Sequence, residues 1–141
     1  MRERRAAREL ALQAMYAREL SDDPIRHVEA YVIDPSDIPE ELKKFARTLF
    51  QISTLHKDEL DNYIKEKSEN WDFERIAIID RLIIRMAISE FLYFEDIPPK
   101  VSISEAIEIA KKYSTDDSSA FVNGILDAVL HLIADKVPEK K

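Results

Sequence analysis

The stretch 71-WDFERIAIIDRLIIRMAISEFLYFE-95 places apolar residues on almost every side of a helix, leaving no polar stripe wide enough to face water along its whole length. A helix of that kind is surrounded by other helices, so the segment is predicted to be the central element of an all-α fold. One polar row interrupts it. Arg81, Arg85 and Ser89 follow one another at i, i+4 spacing, with Asp80 and Glu90 beside them. Buried charges need partners, and an internal network is the first expectation. The second is that Arg75, Asp80 and Arg81, in the first half of the segment, are offered to another protein.

Reading outward, "DIPPK" (96–100) stops the central helix, and "SISE" (102–105) has the pattern of a capping box. There Ser102 and Glu105 would exchange bonds with each other's backbone N–H at the start of the next helix. "YSTDDSSAF" breaks that helix after Tyr113, and a last one is predicted from Asp116 to Asp135 before a frayed "VPEKK" tail. On the N-terminal side, residues 39–68 carry an apolar stripe (Leu42, Phe45, Ala46, Leu49, Phe50, Ile52) that changes phase between Ser53 and His56, which predicts two helices rather than one. A turn at "DPSDIP" (34–39) precedes them. Before it lie a short helix from Pro24 through Ile33 and a first helix from about Arg4 to Leu20. A single glycine, Gly124, and the absence of β-branched alternation agree with about seven helices and no sheet. No repeat, low-complexity tract or long linker divides residues 1–141, so one domain is expected.

Composition narrows the function. A chain of 141 residues buries about 68–70% of its unfolded surface and needs no covalent staple. It has no cysteine, and His27, His56 and His131 are scattered without ligand spacing, so neither a zinc site nor any other metal or cofactor is expected. The apolar stretches are too interrupted to span a membrane, and the N-terminus lacks an apolar signal core, so a cytoplasmic protein is expected. No glycine-rich phosphate loop, nucleophile elbow or Ser/His/Asp grouping is present, so neither enzymatic activity nor a small-molecule substrate is expected.

The net charge is −7, yet Arg2, Arg4, Arg5 and Arg8 crowd the first eight residues. On a helical wheel Ala7, Leu10, Ala11, Ala14 and Met15 face the core, and the arginines fan over the remaining sides. Arg4, Arg8, Leu12 and Tyr16 fall on one i, i+4 row, aligning two guanidinium groups with an aromatic ring. Cations at a helix N-terminus oppose the macrodipole, so something outside the helix should account for them. A polyanion would, since Arg bonds phosphate in a bidentate way and stacks on bases, and an aromatic beside it can stack on an unpaired base. Pairing with Glu3 and Glu9 on a solvated end is the plainer account.

A second cluster lies at "YSTDDSSAFVNGILD" (113–127). Tyr113, Asp117, Ser118 and Phe121 gather free N–H groups, a hydroxyl and a carboxylate beside two rings at a helix start. A carboxylate repels phosphate but accepts from base amino groups, which suits a splayed-out base. The alternative makes Asp116, Asp117 and Ser118 simple caps, with Phe121 in the core.

"RRAARELALQAMY", "W" followed by "DRLIIRMAISE", "IPPKVSISEAIEIAKKY" and "FVNGILD", in that order and spacing over residues 2–133, resemble the NusB family of transcription antitermination factors. The resemblance implies an all-α fold of two small helical bundles packed together. It also implies binding to the single-stranded boxA element of nascent ribosomal RNA leaders, together with the ribosomal protein NusE, on elongating RNA polymerase. A related helical domain is fused to rRNA cytosine methyltransferases; no methyltransferase domain is expected here. Carried over residue by residue, RNA binding falls to Arg4, Arg5, Arg8, Tyr16, Tyr113, Asp117, Ser118 and Phe121. Ala6 stands where many members have another arginine, which shifts weight to Arg2. Tyr113 replaces a phenylalanine, which preserves stacking. A helical-bundle module that binds protein alone is the competing expectation.

Overall fold

The computed structural model describes residues 3–68 and 72–138. Seven α-helices occupy them, and no strand occurs among the described residues. The chain divides into two compact units, Met1–Leu55 and His56–Lys141.

In the first unit, helix α1 (Glu3–Ser21) buries Ala7, Leu10, Ala11, Leu12, Ala14 and Met15. Its small alanines permit a close approach to α3 (Glu40–Leu55), which contributes Ala46, Leu49 and Phe50 to the core. At the end of α1 the backbone turns left-handed at Asp22 (φ 60), whose N–H donates to the Arg18 carbonyl at 2.8 Å. Pro24 then precedes α2 (Ile25–Val28), which runs straight into a π turn over Glu29–Ile33. The Asp34 N–H reaches back to the Glu29 carbonyl at 2.9 Å, and Val28 and Ile33 are buried. Arg47 ties the following loop to α3, donating to Asp34 at 2.9 and 3.2 Å and to Glu40 at 3.2 Å. Those hydrogen bonds, led by the one to Asp34, raise the Arg47 pKa.

In the second unit, α4 (Lys57–Lys67), α6 (Pro99–Tyr113) and α7 (Asp116–Leu132) each pack on α5 (Ile78–Tyr93), and α6 and α7 pack on each other. Every residue of α5 from Leu82 to Phe91 is buried, as a central helix requires. The predicted break between α3 and α4 falls where the stripe changes phase, at His56.

Three boundaries differ from the sequence reading. The central helix begins at Ile78, not near Trp71, because Asp72 accepts the Glu74 N–H at 3.2 Å and closes a separate 3-10 turn (Phe73–Arg75), after which Ile76 and Ala77 are extended. Helix α6 begins at Pro99, three residues before the predicted capping box. The fixed φ of proline suits the first helical position, where a missing N–H costs nothing. Ser102 is therefore buried inside α6 and donates to Glu90 on α5 at 2.8 Å, and Glu105 is buried one turn further along. Helix α7 ends at Leu132, and Ala134–Lys136 form a 3-10 turn.

Candidate nucleic-acid interface

The arginine end of α1 is more enclosed than the helical wheel implied. Arg4 and Arg5 are half-buried, while Arg8 is only 1% exposed. The guanidinium carbons of Arg4 and Arg8 stand 4.5 and 5.5 Å from the centroid of the Phe45 ring on α3. The row Arg4, Arg8, Leu12, Tyr16 thus turns inward at its middle, with Leu12 1% and Tyr16 37% exposed. Arg8 is corrected from a surface cation to a buried one. An i, i+4 row on a 19-residue helix cannot stay outside when a neighbouring aromatic ring attracts its cations. Arg2 lies outside the described residues.

The start of α7 is set by Thr115, whose hydroxyl accepts the Ser118 N–H at 3.0 Å. Ser118 also bonds Ser114 through their hydroxyls at 3.0 Å. With the cap supplied by Thr115, Asp117 is left exposed, and Phe121 lies half-buried one turn on. Asp117, Ser118 and Phe121 line a cleft of about 330 Å³ whose other walls are Arg75, Ile76, Ala77 and Asp80. Tyr113 is not among the lining residues; its ring lies under the Lys112 ammonium at 5.6 Å.

The sequence separated an RNA cluster around Asp117 from a partner surface around Asp80, and the fold brings both to one cleft. Arg75 is exposed at its rim. Asp80 is 5% exposed, and its Oδ1 is buried with no hydrogen-bond partner among the described residues. Such an oxygen loses hydration without compensation unless a donor is brought to it. Arg81, by contrast, sits with its guanidinium carbon 5.1 Å over the Phe73 ring and does not line the cleft.

The rest of the polar row is internal, as first expected. Arg85 forms a buried fork with Asp61 on α4 at 2.9 and 3.0 Å, and Ser89 donates to the Arg85 carbonyl at 3.0 Å. Asp61 escaped the sequence reading, although a charge set beside Leu60 and Ile64, on the apolar side of α4, was its signal. Phe45 was assigned only to the core. Among the described residues no cluster of potential ligands could hold a metal ion, and no helix is long and apolar enough to cross a membrane.

This arrangement of helices and motifs has known counterparts. The NusB family model matches residues 5–131. The transcription antitermination protein NusB of Salinibacter ruber is 46% identical over 92% of this chain and 82% of its own length. Its namesake from Chloroherpeton thalassium is 44% identical over 94% of this chain, which spans 64% of that longer protein. Among solved structures, T. maritima NusB superposes with a TM-score of 0.84 at 32% identity, covering 96% of this chain and 93% of that one. A chain from a crystal structure of antitermination factors NusB and NusE in complex with dsRNA gives 0.84 at 22% identity, over 94% of this chain and 98% of its own, a likeness of fold. With its helices, its motif order and nearly its whole length matched, the chain belongs to the NusB family.

Proposed function

We propose that the protein is a transcription antitermination factor: a binding protein rather than an enzyme, which acts in the cytoplasm on elongating RNA polymerase. With NusE it holds the single-stranded boxA element of a nascent ribosomal RNA leader. The observation that carries this reading is the cleft that unites Arg75, Asp80, Asp117, Ser118 and Phe121 in a member of the NusB family. Relatives at 44% and 46% identity are named antitermination proteins, and a structure of the same fold was solved with NusE and RNA.

The chemistry divides along the cleft. Phe121 offers a ring face on which any base can stack, and the exposed Asp117 carboxylate can accept from a base amino group while repelling phosphate. Asp80, a buried wall of the cleft whose Oδ1 has no hydrogen-bond partner among the described residues, is suited to a donor from a protein partner, and the exposed Arg75 to an anion. On the other unit, Arg4 and Arg5 supply the cations that a phosphate backbone requires. The acidic remainder, at a net charge of −7, repels duplex DNA and unrelated RNA, so that binding depends on the partner.

A gel-shift with a boxA oligoribonucleotide, run with and without NusE, tests the reading. A shifted complex that strengthens with NusE and is lost on scrambling boxA is expected. Equal retention of scrambled RNA, or none of either, would overturn it.

A further inference from the structure

Phe45 carries a role beyond packing. It is half-buried on α3, and its ring collects two cations from α1, Arg4 at 4.5 Å and Arg8 at 5.5 Å. Those arginines sit one helical turn apart, repel each other, and lie near the positive end of the α1 dipole. The negative face of an aromatic ring offsets both effects. Arg8 is too enclosed, at 1% exposure, to meet a ligand, so it and Phe45 form a base. Arg4 is half-buried, with its Nη1 enclosed, and is seated on that base.

On the reading that this helix end binds RNA, we propose that Phe45 is a positioning residue: through the face of its ring it holds the Arg4 guanidinium in the orientation in which Arg4 meets an RNA phosphate. A free arginine side chain loses much rotational freedom when its planar fork engages a phosphate. One already seated on a ring loses less, and the difference appears as affinity. Phe45 thereby strengthens binding without touching RNA. The sequence marked the arginines; the fold supplies the surface that makes one of them a fixed donor.

The test uses the full chain with NusE and a single-stranded boxA oligonucleotide. Replacing Phe45 by mono-, di- and trifluorophenylalanine keeps the shape of the ring and progressively drains its face of negative charge. Affinity should fall stepwise, by about three- to tenfold across the series, while the melting temperature stays within a few degrees of wild type. Phe45→Leu should match the trifluoro form, and Phe45→Tyr should bind like wild type. In an Arg4→Ala background the fluorinated series should have no further effect. Affinity that ignores fluorination, or that falls equally without Arg4, overturns the role of Phe45 while leaving RNA binding in place. A chain that binds no boxA RNA, or an Arg4→Ala variant that binds as well as wild type, overturns the RNA reading of this helix end and the proposal with it.

Discussion

Arg85 on α5 and Asp61 on α4 face each other in a two-point fork, Nε to Oδ1 at 2.9 Å and one terminal nitrogen to Oδ2 at 3.0 Å, with side chains only 6% and 9% exposed. Neither charge can be removed alone without stranding the other. Asp61→Asn or Arg85→Met should each lower stability in urea unfolding by about 3–5 kcal/mol. The joint change of Asp61→Leu with Arg85→Met should recover most of that loss, because an apolar pair leaves no buried charge. Single variants that lose under about 1 kcal/mol would show that the pair is solvated in solution.

The two arginines that share Phe45 should separate experimentally. Arg4→Ala should leave the melting temperature nearly unchanged and reduce the slope of log K against log salt for RNA by roughly 0.7 per lost phosphate contact. Arg8→Ala should instead act on folding, costing about 1–3 kcal/mol, since its buried stem and cation are part of the packing. Calorimetric melting alongside a salt titration checks both. Equal slopes for wild type and Arg4→Ala would remove Arg4 from the phosphate contacts.

Asp80 should trade stability against association. Its buried Oδ1 has no hydrogen-bond partner among the described residues, so Asp80→Asn, which lowers the cost of burying that group, should hold or raise the melting temperature. Association with NusE, followed by titration calorimetry, should weaken by about 2–5 kcal/mol if a partner donor meets that oxygen. A lower melting temperature with unaltered association would place the partner of Asp80 within the chain.

At the head of α7, Phe121→Ala should cost about 1–3 kcal/mol on any single strand, the usual worth of a base stacked on a ring. Asp117→Asn should discriminate differently. Thr115 already caps the helix, so folding should lose at most about 0.3–1 kcal/mol of dipole interaction. Affinity for boxA should hold or rise as a negative charge leaves the phosphates, while preference for boxA over a base-substituted version falls. An unchanged preference would leave Asp117 without a part in reading the base.

Tyr93 provides a spectroscopic check. Burial, followed by the 2.6 Å hydrogen bond its hydroxyl donates to Glu59, pushes its pKa from 10.0 up to about 12. A raised pKa in the folded state means that the folded protein holds the proton more tightly than the unfolded chain. This stabilisation is complete below pH 10 and is lost as pH rises through about 12. An ultraviolet titration should show one phenol ionising late, and Glu59→Gln should move it only part of the way back, because burial is the larger cause. The ring is 38% exposed, so the effect rests on the enclosure of its hydroxyl end; a Tyr93 midpoint near 10 in the wild type would show that water reaches that hydroxyl and that the Glu59 bond does not hold its proton.

Periodicity made the helices legible: the saturated apolar pattern of residues 78–93 identified a surrounded helix, and the slip in phase near His56 located a break that no proline or glycine marks. The missed boundaries share a cause. At Asp72 and Pro99 a local competitor, an Asx-type turn in one case and a fixed φ in the other, overrode the pattern that periodicity and the capping rule favoured. The site was legible by residue type but not by grouping. Asp80 and Asp117 lie far apart in the chain, and only the packing of α7 on α5 reveals that they line one cleft. The burial of Arg8 was hidden for a similar reason, since it depends on a ring carried by another helix.

The link between α6 and α7 consists of only two residues, Ser114 and Thr115, and the two helices it joins pack on each other. Little chain entropy is lost when so short a loop closes, and Thr115 starts the second helix as the first one stops. That hairpin can therefore assemble from local contacts, ahead of partners farther along the chain. Helical proteins dominated by such contacts fold on the order of microseconds to milliseconds. The head of α7, and with it Asp117 and Phe121, should belong to the earliest part of the second unit to take shape.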